Sequence, residues 1–217
     1  QHGFMSRLRI TEIFHSLQGE SASVGWRTAF IRLTGCPLRC GYCDTAYAFK
    51  GGEWWDIDAI LEQVAGFDAR YVTVTGGEPL AQPQCLTLLR ALCDAGYRVS
   101  LETSGALDVS AVDPRVVKVM DLKTPASGEC GRNLYTNIDH LHPQDQVKFV
   151  IADEADYLWS RDVLRSRNLN TRCEVLFSPV AGQLAPALLA DWILRDRLDV
   201  RFQLQLHKLL WGGEPGR

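Results

Sequence analysis

The chain has 217 residues, 46% of them hydrophobic and 23% charged, with a formal net charge of −3. That is the composition of a globular chain long enough for a substantial core, and its slightly acidic balance offers no basic face for nucleic acid. No apolar run approaches the ~20 residues of a membrane span, so a membrane role is not expected.

Gln1 to Phe4 precede Met5 and are read as a remnant ahead of a single domain spanning 5–217, and nothing at the start reads as a secretory signal. Arg7 to Phe14 alternates as a first strand, and His15 to Glu20 follows as a polar loop that by pattern alone is a surface turn. Thr28 to Thr34 is the next strand and carries Arg32 toward a cysteine-rich loop, GCPLRCGYCDT, which holds Cys36, Cys40 and Cys43. An arginine in so apolar a strand needs a partner, either a carboxylate on a substrate or a local Glu. Asp56 to Phe67 is amphipathic, with Ile57, Ile60, Leu61 and Val64 on one face and Asp56 placed to cap it. Tyr71 to Thr75 reads as a buried strand running into Gly76-Gly77-Glu78-Pro79, and Gln82 to Ala95 as a helix stopped by Gly96.

Tyr97 to Glu102 leads to Thr103-Ser104-Gly105, and Val116 to Met120 ends at Asp121-Leu122-Lys123. Gln146 to Ile151 is a strand, followed by a helix from Glu154 to Arg167. Glu174 to Phe177 ends at Ser178-Pro179, Leu184 to Arg197 is the last helix, and a strand from Arg201 to Leu206 precedes His207-Lys208 and a Gly/Pro tail. Strands alternating with helices argue for an α/β fold with a parallel sheet, and the polar candidates fall at the C-terminal strand ends where such sheets place their sites. The helices are too few for an eight-fold barrel, so a partial, open TIM-type β/α barrel is expected.

The cysteine loop is spaced C-x3-C-x2-C. Thiolates bind soft metals, yet three ligands are one short of a closed zinc site or a fully ligated cluster. Either a distant His or Cys completes a zinc-binding loop, or one metal position is left open. Tyr42 puts an aromatic ring beside the metal, and the Thr45 hydroxyl could reach a hard cation or a polar ligand group. The Gly76-Gly77 pair would let backbone approach a ligand closely, although an ordinary Gly-Gly turn before a helix reads the same way. The remaining cysteines, Cys85, Cys93, Cys130 and Cys173, are scattered and read as reduced thiols of a cytoplasmic protein.

With an aromatic residue before its third cysteine, the loop resembles that of radical S-adenosylmethionine enzymes, and GGEP resembles the motif by which they contact the cofactor's amino group. The resemblance implies a 4Fe-4S cluster held by Cys36, Cys40 and Cys43, with the fourth iron open to S-adenosylmethionine, and a flavodoxin-like reductant. Over nearly the whole chain, SLQGE, FIRLTGCPLRCGYCDTAYAF, TGGEP, LETSG and LQLHK together resemble the 7-carboxy-7-deazaguanine synthase family. This implies conversion of 6-carboxy-tetrahydropterin to 7-carboxy-7-deazaguanine with loss of ammonia, on the route to queuosine, by a homodimer assisted by Mg2+.

Carried over by motif, Leu17, Gln18, Gly19, Glu20, Arg32, Thr75 and His207 would bind substrate, with Thr45 as the Mg2+ ligand. Tyr42, Asp44, Gly77, Glu102, Asp121, Lys123 and Ser178 would bind S-adenosylmethionine. Ser21 and the SPVA segment at 178–181 depart from the family pattern. A glycyl-radical-activating enzyme acting on a protein partner, or a non-catalytic iron–sulfur or zinc protein, are the competing readings.

Overall fold

A computed structural model describes residues 6–217; the remnant reading of Gln1 to Phe4 lies outside the described residues. Nine strands, counted among the described residues, join in one sheet: β1 (Arg7–Leu17), β2 (Arg27–Leu33), β3 (Glu53–Asp56), β4 (Tyr71–Gly76), β5 (Arg98–Thr103), β6 (Val117–Asp121), β7 (Gln146–Ile151), β8 (Glu174–Pro179) and β9 (Arg201–Phe202). Their order is β3-β1-β2-β4-β5-β6-β7-β8-β9. From β2 to β9 every neighbouring pair is parallel, while β1 lies antiparallel to both β2 and β3. Because β3 and β9 have one neighbour each, the sheet does not close, and the expected partial open barrel is the architecture found.

The helices α1 (Ile57–Ala65), α2 (Cys85–Asp94), α3 (Glu154–Ser166) and α4 (Pro186–Asp196) carry four of the six parallel crossovers, and β5–β6 and β6–β7 are joined by loops and short 3-10 turns. The two-residue period of each strand then sorts its side chains. Val72 and Val74, Val99 and Leu101, and Val147, Phe149 and Ile151 belong to the buried apolar clusters on the helix side. The alternate positions, among them Thr73, Thr75, Glu102 and Lys148, are turned to the inner face. Two clusters result. One joins β1, β2, β4 and β5 to α1 and α2, and the other joins β7 and β8 to α3 and α4.

In the second cluster the Tyr157 ring packs 6.1 Å from Phe177 and 5.2 Å from Trp192, and its hydroxyl donates to the Trp192 carbonyl (2.9 Å) and to Asp196 Oδ2 (2.8 Å). Removing that hydroxyl in Tyr157→Phe takes a buried donor from the Trp192 carbonyl, while Asp196 Oδ2 keeps Arg161 at 3.1 Å and Arg195 at 3.3 Å, and a loss of about 1 kcal/mol in urea unfolding is expected.

Four of the departures from the pattern-based expectation have a visible cause in hydrogen bonding or pairing. β1 runs on to Leu17 because its pairing with β2 continues to Leu17 opposite Arg27, past a bulge between Ile10 and Glu12, so the polar loop begins only at Gln18. The helix expected from Gln82 begins at Cys85, because Gln82 instead ties strands together: its Nε2 donates to the carbonyls of Arg9 and Thr34, both at 2.9 Å, and its Oε1 accepts from Arg9 N–H. Asp56 stands at the N-cap of α1 but makes no capping bond; its carboxylate pairs with Arg7 Nε at 3.3 Å. The closing strand Arg201–Leu206 is only Arg201–Phe202. Gln203 turns away to exchange two hydrogen bonds with the backbone of Ser21 (2.7 and 3.0 Å), and a short helix α5 (Leu206–Trp211) follows.

Candidate active site

At the C-terminal ends of the parallel strands lies a cavity of about 260 Å³. Its wall at β2 is the cysteine loop, held by backbone staples. Gly35, at φ +99°, donates to the Ala48 carbonyl (2.8 Å) and accepts from Glu78 N–H (2.8 Å), and Gly41 N–H donates to Ser127 O (3.0 Å). The Arg39 guanidinium caps the carbonyls of Cys36 (2.7 Å) and Leu38 (2.6 Å) while lying 4.3 Å above the Phe49 ring. Cys36, Cys40 and Cys43 all line the cavity, half-buried and unbridged.

Among the described residues, no three His, Cys, Asp or Glu side chains are gathered to hold one metal ion. A zinc site needs its ligands within bonding distance of a single centre. A cluster distributes its thiolates over separate irons, and three thiols spread around one cavity wall fit that body.

Glu78 of the GGEP turn is fully buried and works as a strap. Its carboxylate accepts from Thr103 Oγ1 (2.9 Å), Ser104 N–H (2.7 Å) and Leu80 N–H (3.0 Å), tying the end of β4 to the end of β5. Gly77 is packed so closely that a Cβ there would sit 2.3 Å from the Gly35 carbonyl oxygen and 2.8 Å from Cys36 Cβ. Here the glycine is required by close approach, which the ordinary-turn reading did not demand.

Across from the cysteines the inner-face residues form a polar network. Gln18 Nε2 donates to Thr73 Oγ1 (3.0 Å) and reaches Glu102 Oε1 (3.4 Å), while Thr75 Oγ1 donates to Glu102 Oε2 (3.0 Å). Burial pushes the Glu102 carboxyl up, and the Lys148 ammonium works against that rise. Arg32 satisfies the bland expectation in part. Its Nε donates to Glu12 Oε1 at 2.7 Å, and Tyr47 OH donates to the same oxygen at 2.7 Å. No other side-chain hydrogen bond of Arg32 occurs among the described residues, and its guanidinium carbon lies 5.8 Å from both the Phe14 and Tyr47 rings.

Leu17, Gly19, Glu20, Tyr42, Thr45 and His207 also line the cavity. Gly19 is pinned against His207, whose Nδ1 would stand 2.0 Å from a Cβ at that position, and Gly19 O accepts from Leu206 N–H. The His207 imidazole is thus on the first turn of α5 rather than at a strand end, and burial lowers its pKa. The Tyr42 hydroxyl reaches Thr124 Oγ1 at 3.3 Å, and burial pushes it up to about 12. Thr45 Oγ1 stands 3.8 Å from Cys43 Sγ. Asp121 accepts from Lys123 Nζ at 2.9 Å; burial opposes the Lys123 charge, but Asp121 and Cys40 outweigh it and raise the pKa.

Ser178 is the exception among the expected ligands. It is buried in β8, its hydroxyl without a hydrogen-bond partner among the described residues, and the cavity wall is formed instead by Val180 and Ala181 just beyond. The strand runs two residues further than its apolar pattern suggested, which moves the loop onto the later residues.

Asp44 pairs with Lys208 Nζ at 2.8 Å, fastening α5 to the cysteine loop. Burial works against the Asp44 charge, but the Lys208 ammonium outweighs it and holds the carboxyl below its ordinary value of 3.8. A depressed carboxylate contributes stability above its unfolded pKa and loses it as pH falls through the folded one. Asp44→Asn is therefore expected to cost under about 1 kcal/mol at neutral pH, because the pair is partly exposed and screened. In unfolding curves that difference is lost as pH falls from the ordinary carboxylate value of 3.8 through the lower folded one.

Lys148 and Tyr47 were not foreseen as cavity residues, nor Glu12 as the particular carboxylate that holds Arg32. The signal for Lys148 was present, since a lysine inside QVKFVI demands a partner by the same logic as Arg32.

A family model described as the Radical SAM superfamily matches residues 30–157, from β2 through the cysteine loop into α3. The chain is a radical S-adenosylmethionine enzyme, of the class that uses a 4Fe-4S cluster with that cofactor. Two relatives narrow this. The 7-carboxy-7-deazaguanine synthase of Chlorobaculum tepidum is 50% identical over 94% of this chain and 94% of its own length, and that of Koribacter versatilis is 43% identical over 95% and 98%. The chain belongs to the 7-carboxy-7-deazaguanine synthase family.

Solved structures agree on the fold. QueE from Escherichia coli matches with a TM-score of 0.77 at 22% identity over 94% of this chain and 97% of that one. Streptococcus suis SuiB bound to S-adenosylmethionine matches with 0.56 at 14% identity, over 79% of this chain and 45% of that one. No helix among the described residues is long and apolar enough to cross a membrane.

Proposed function

We propose that the enzyme converts 6-carboxy-5,6,7,8-tetrahydropterin to 7-carboxy-7-deazaguanine with release of ammonia, a step toward queuosine and related 7-deazapurines. The observation that carries this reading is the composition of the cavity: a three-cysteine wall faces a hydrogen-bonding wall of Gln18, Glu20, Arg32, Thr75 and Glu102. A glycyl-radical-activating enzyme, whose substrate is another protein's backbone, has no use for an arginine aimed at a small acid.

Cys36, Cys40 and Cys43 would hold the cluster, which together with S-adenosylmethionine would supply hydrogen-atom-abstraction chemistry in the cavity. The chain's own residues bind and orient. Arg32, oriented through Nε by Glu12, presents its terminal nitrogens to the pterin carboxylate, a geometry suited to bidentate pairing. Leu17, Gly19 and His207 complete the substrate wall, with Gln18 and Glu20 offering donors and acceptors to ring nitrogens. Tyr42, Asp44, Gly77, Glu102, Asp121 and Lys123 serve S-adenosylmethionine, and Val180 and Ala181 take the place expected of Ser178. Thr45 would offer one hydroxyl to Mg2+, which would orient substrate oxygens. The protein acts as a single 5–217 domain in a cytoplasmic homodimer, reduced by a flavodoxin-like donor.

Stoichiometry tests this. With S-adenosylmethionine limiting under anaerobic reducing conditions, many equivalents of product should form per S-adenosylmethionine, with ammonia equal to product. One S-adenosylmethionine consumed per product overturns the regenerated-cofactor role, and product without ammonia overturns the ring contraction.

A further inference from the structure

We propose that Lys148 is a positioning residue that bridges the substrate and cofactor halves of the cavity. The inference rests on the functional reading above, in which Glu20 faces substrate and Asp121 faces S-adenosylmethionine. Lys148 sits on the inner face of β7, buried, with Nζ 3.1 Å from Glu20 Oε2 and 4.0 Å from Asp121 Oδ2. Glu102 is the third carboxylate whose charge bears on it. A buried ammonium is costly unless it is paired, so its retention among these carboxylates calls for a role.

A second observation says what that role is. Glu20 Oε1 and Asp121 Oδ1 are both buried and have no hydrogen-bond partner among the described residues. Buried carboxylate oxygens are rarely left without a donor, and each that is calls for an explanation. Here Lys148 pairs with Glu20 Oε2 and stands second, behind Lys123 at 2.9 Å, on Asp121 Oδ2, while the other oxygen of each carboxylate is left to receive N–H or O–H donors from a ligand. Glu20 is also fixed from its backbone, whose N–H donates to Gln18 Oε1 at 3.2 Å.

One ammonium serving two anions links the two ligands. A substrate that donates to Glu20 settles the position of Nζ, and with it the positive charge that Lys148 adds to the Lys123-held Asp121 carboxylate that the cofactor meets. Such coupling is reciprocal: each ligand tightens the other by the same factor.

Equilibrium binding to the cluster-loaded enzyme, without reductant so that no turnover occurs, tests the bridge. Wild type should bind S-adenosylmethionine about fivefold or more tightly when 6-carboxy-tetrahydropterin is present. Lys148→Met should weaken each ligand by roughly tenfold and abolish the mutual enhancement, and Lys148→Arg should restore part of both. Unchanged binding of both ligands, or an effect on only one, overturns the bridge. If Lys148→Met does not fold, the Glu20→Gln and Asp121→Asn cycle decides: non-additive losses support a shared ammonium, and additive losses refute it. Failure of wild type to bind the pterin overturns the functional reading and the bridge together; normal wild-type binding with a Lys148→Met variant that matches it overturns the bridge alone.

Discussion

Cys40→Ala is expected to abolish turnover and to take iron from about four atoms per chain to near zero, because a 4Fe-4S cluster held by three thiolates cannot lose one and persist. The physical reason lies in the loop. Burial raises the Cys36 and Cys40 thiols, so without metal they stay protonated at neutral pH and become ligands only when iron displaces the proton. Reconstitution should accordingly release protons and weaken as pH falls. Folding should be untouched, within about 0.5 kcal/mol, since Cys40 is half-buried on the cavity rim and belongs to neither apolar cluster. Cys93→Ala, on α2, is the control and should retain full iron content. Iron and sulfide analysis with urea unfolding separates these outcomes; an iron-replete Cys40→Ala protein would refute the ligand assignment.

Gly77→Ala is the second large effect. The added methyl would meet backbone, the Gly35 carbonyl at 2.3 Å, together with Cys36 Cβ at 2.8 Å. Neither can rotate aside as a flexible side chain could. The loop carrying the first cysteine must move by roughly 1 Å, a displacement that can cost about 100-fold in rate when reacting groups are misplaced. The Glu78 N–H to Gly35 O bond goes with it, adding about 1–3 kcal/mol of destabilisation from overpacking. Gly131→Ala meets nothing within 4 Å and should behave as wild type. Comparing kcat/KM and iron content for the two variants is the check; a fully active Gly77→Ala enzyme would show that the close approach is not needed.

How much of this was legible in the sequence follows from the range of the forces involved. The cysteine spacing, the glycine turn and the strand–helix alternation are short-range patterns, and the structure realises them within a few residues. What escaped was long-range. β3 (EWWD) has no alternation to announce it and exists because β1 offers Arg7–Ile10 as a pairing edge. The last strand ends early because Gln203 finds the backbone of Ser21, 182 positions away. Arg32 was legible as needing a partner but not which one; the choice of Glu12 is fixed by the register that places Glu12 opposite Arg32. Lys148 and Glu20, 128 positions apart, meet only because β7 and the β1–β2 loop face the same cavity.

The most direct measurement is a mass-spectrometric product assay of the anaerobically reconstituted enzyme with 6-carboxy-tetrahydropterin, S-adenosylmethionine, dithionite and Mg2+. The expected result is accumulating 7-carboxy-7-deazaguanine that depends on all three cysteines. Slow release of 5′-deoxyadenosine with no 7-deazapurine would contradict it, leaving the cluster chemistry in place and removing the pterin as substrate.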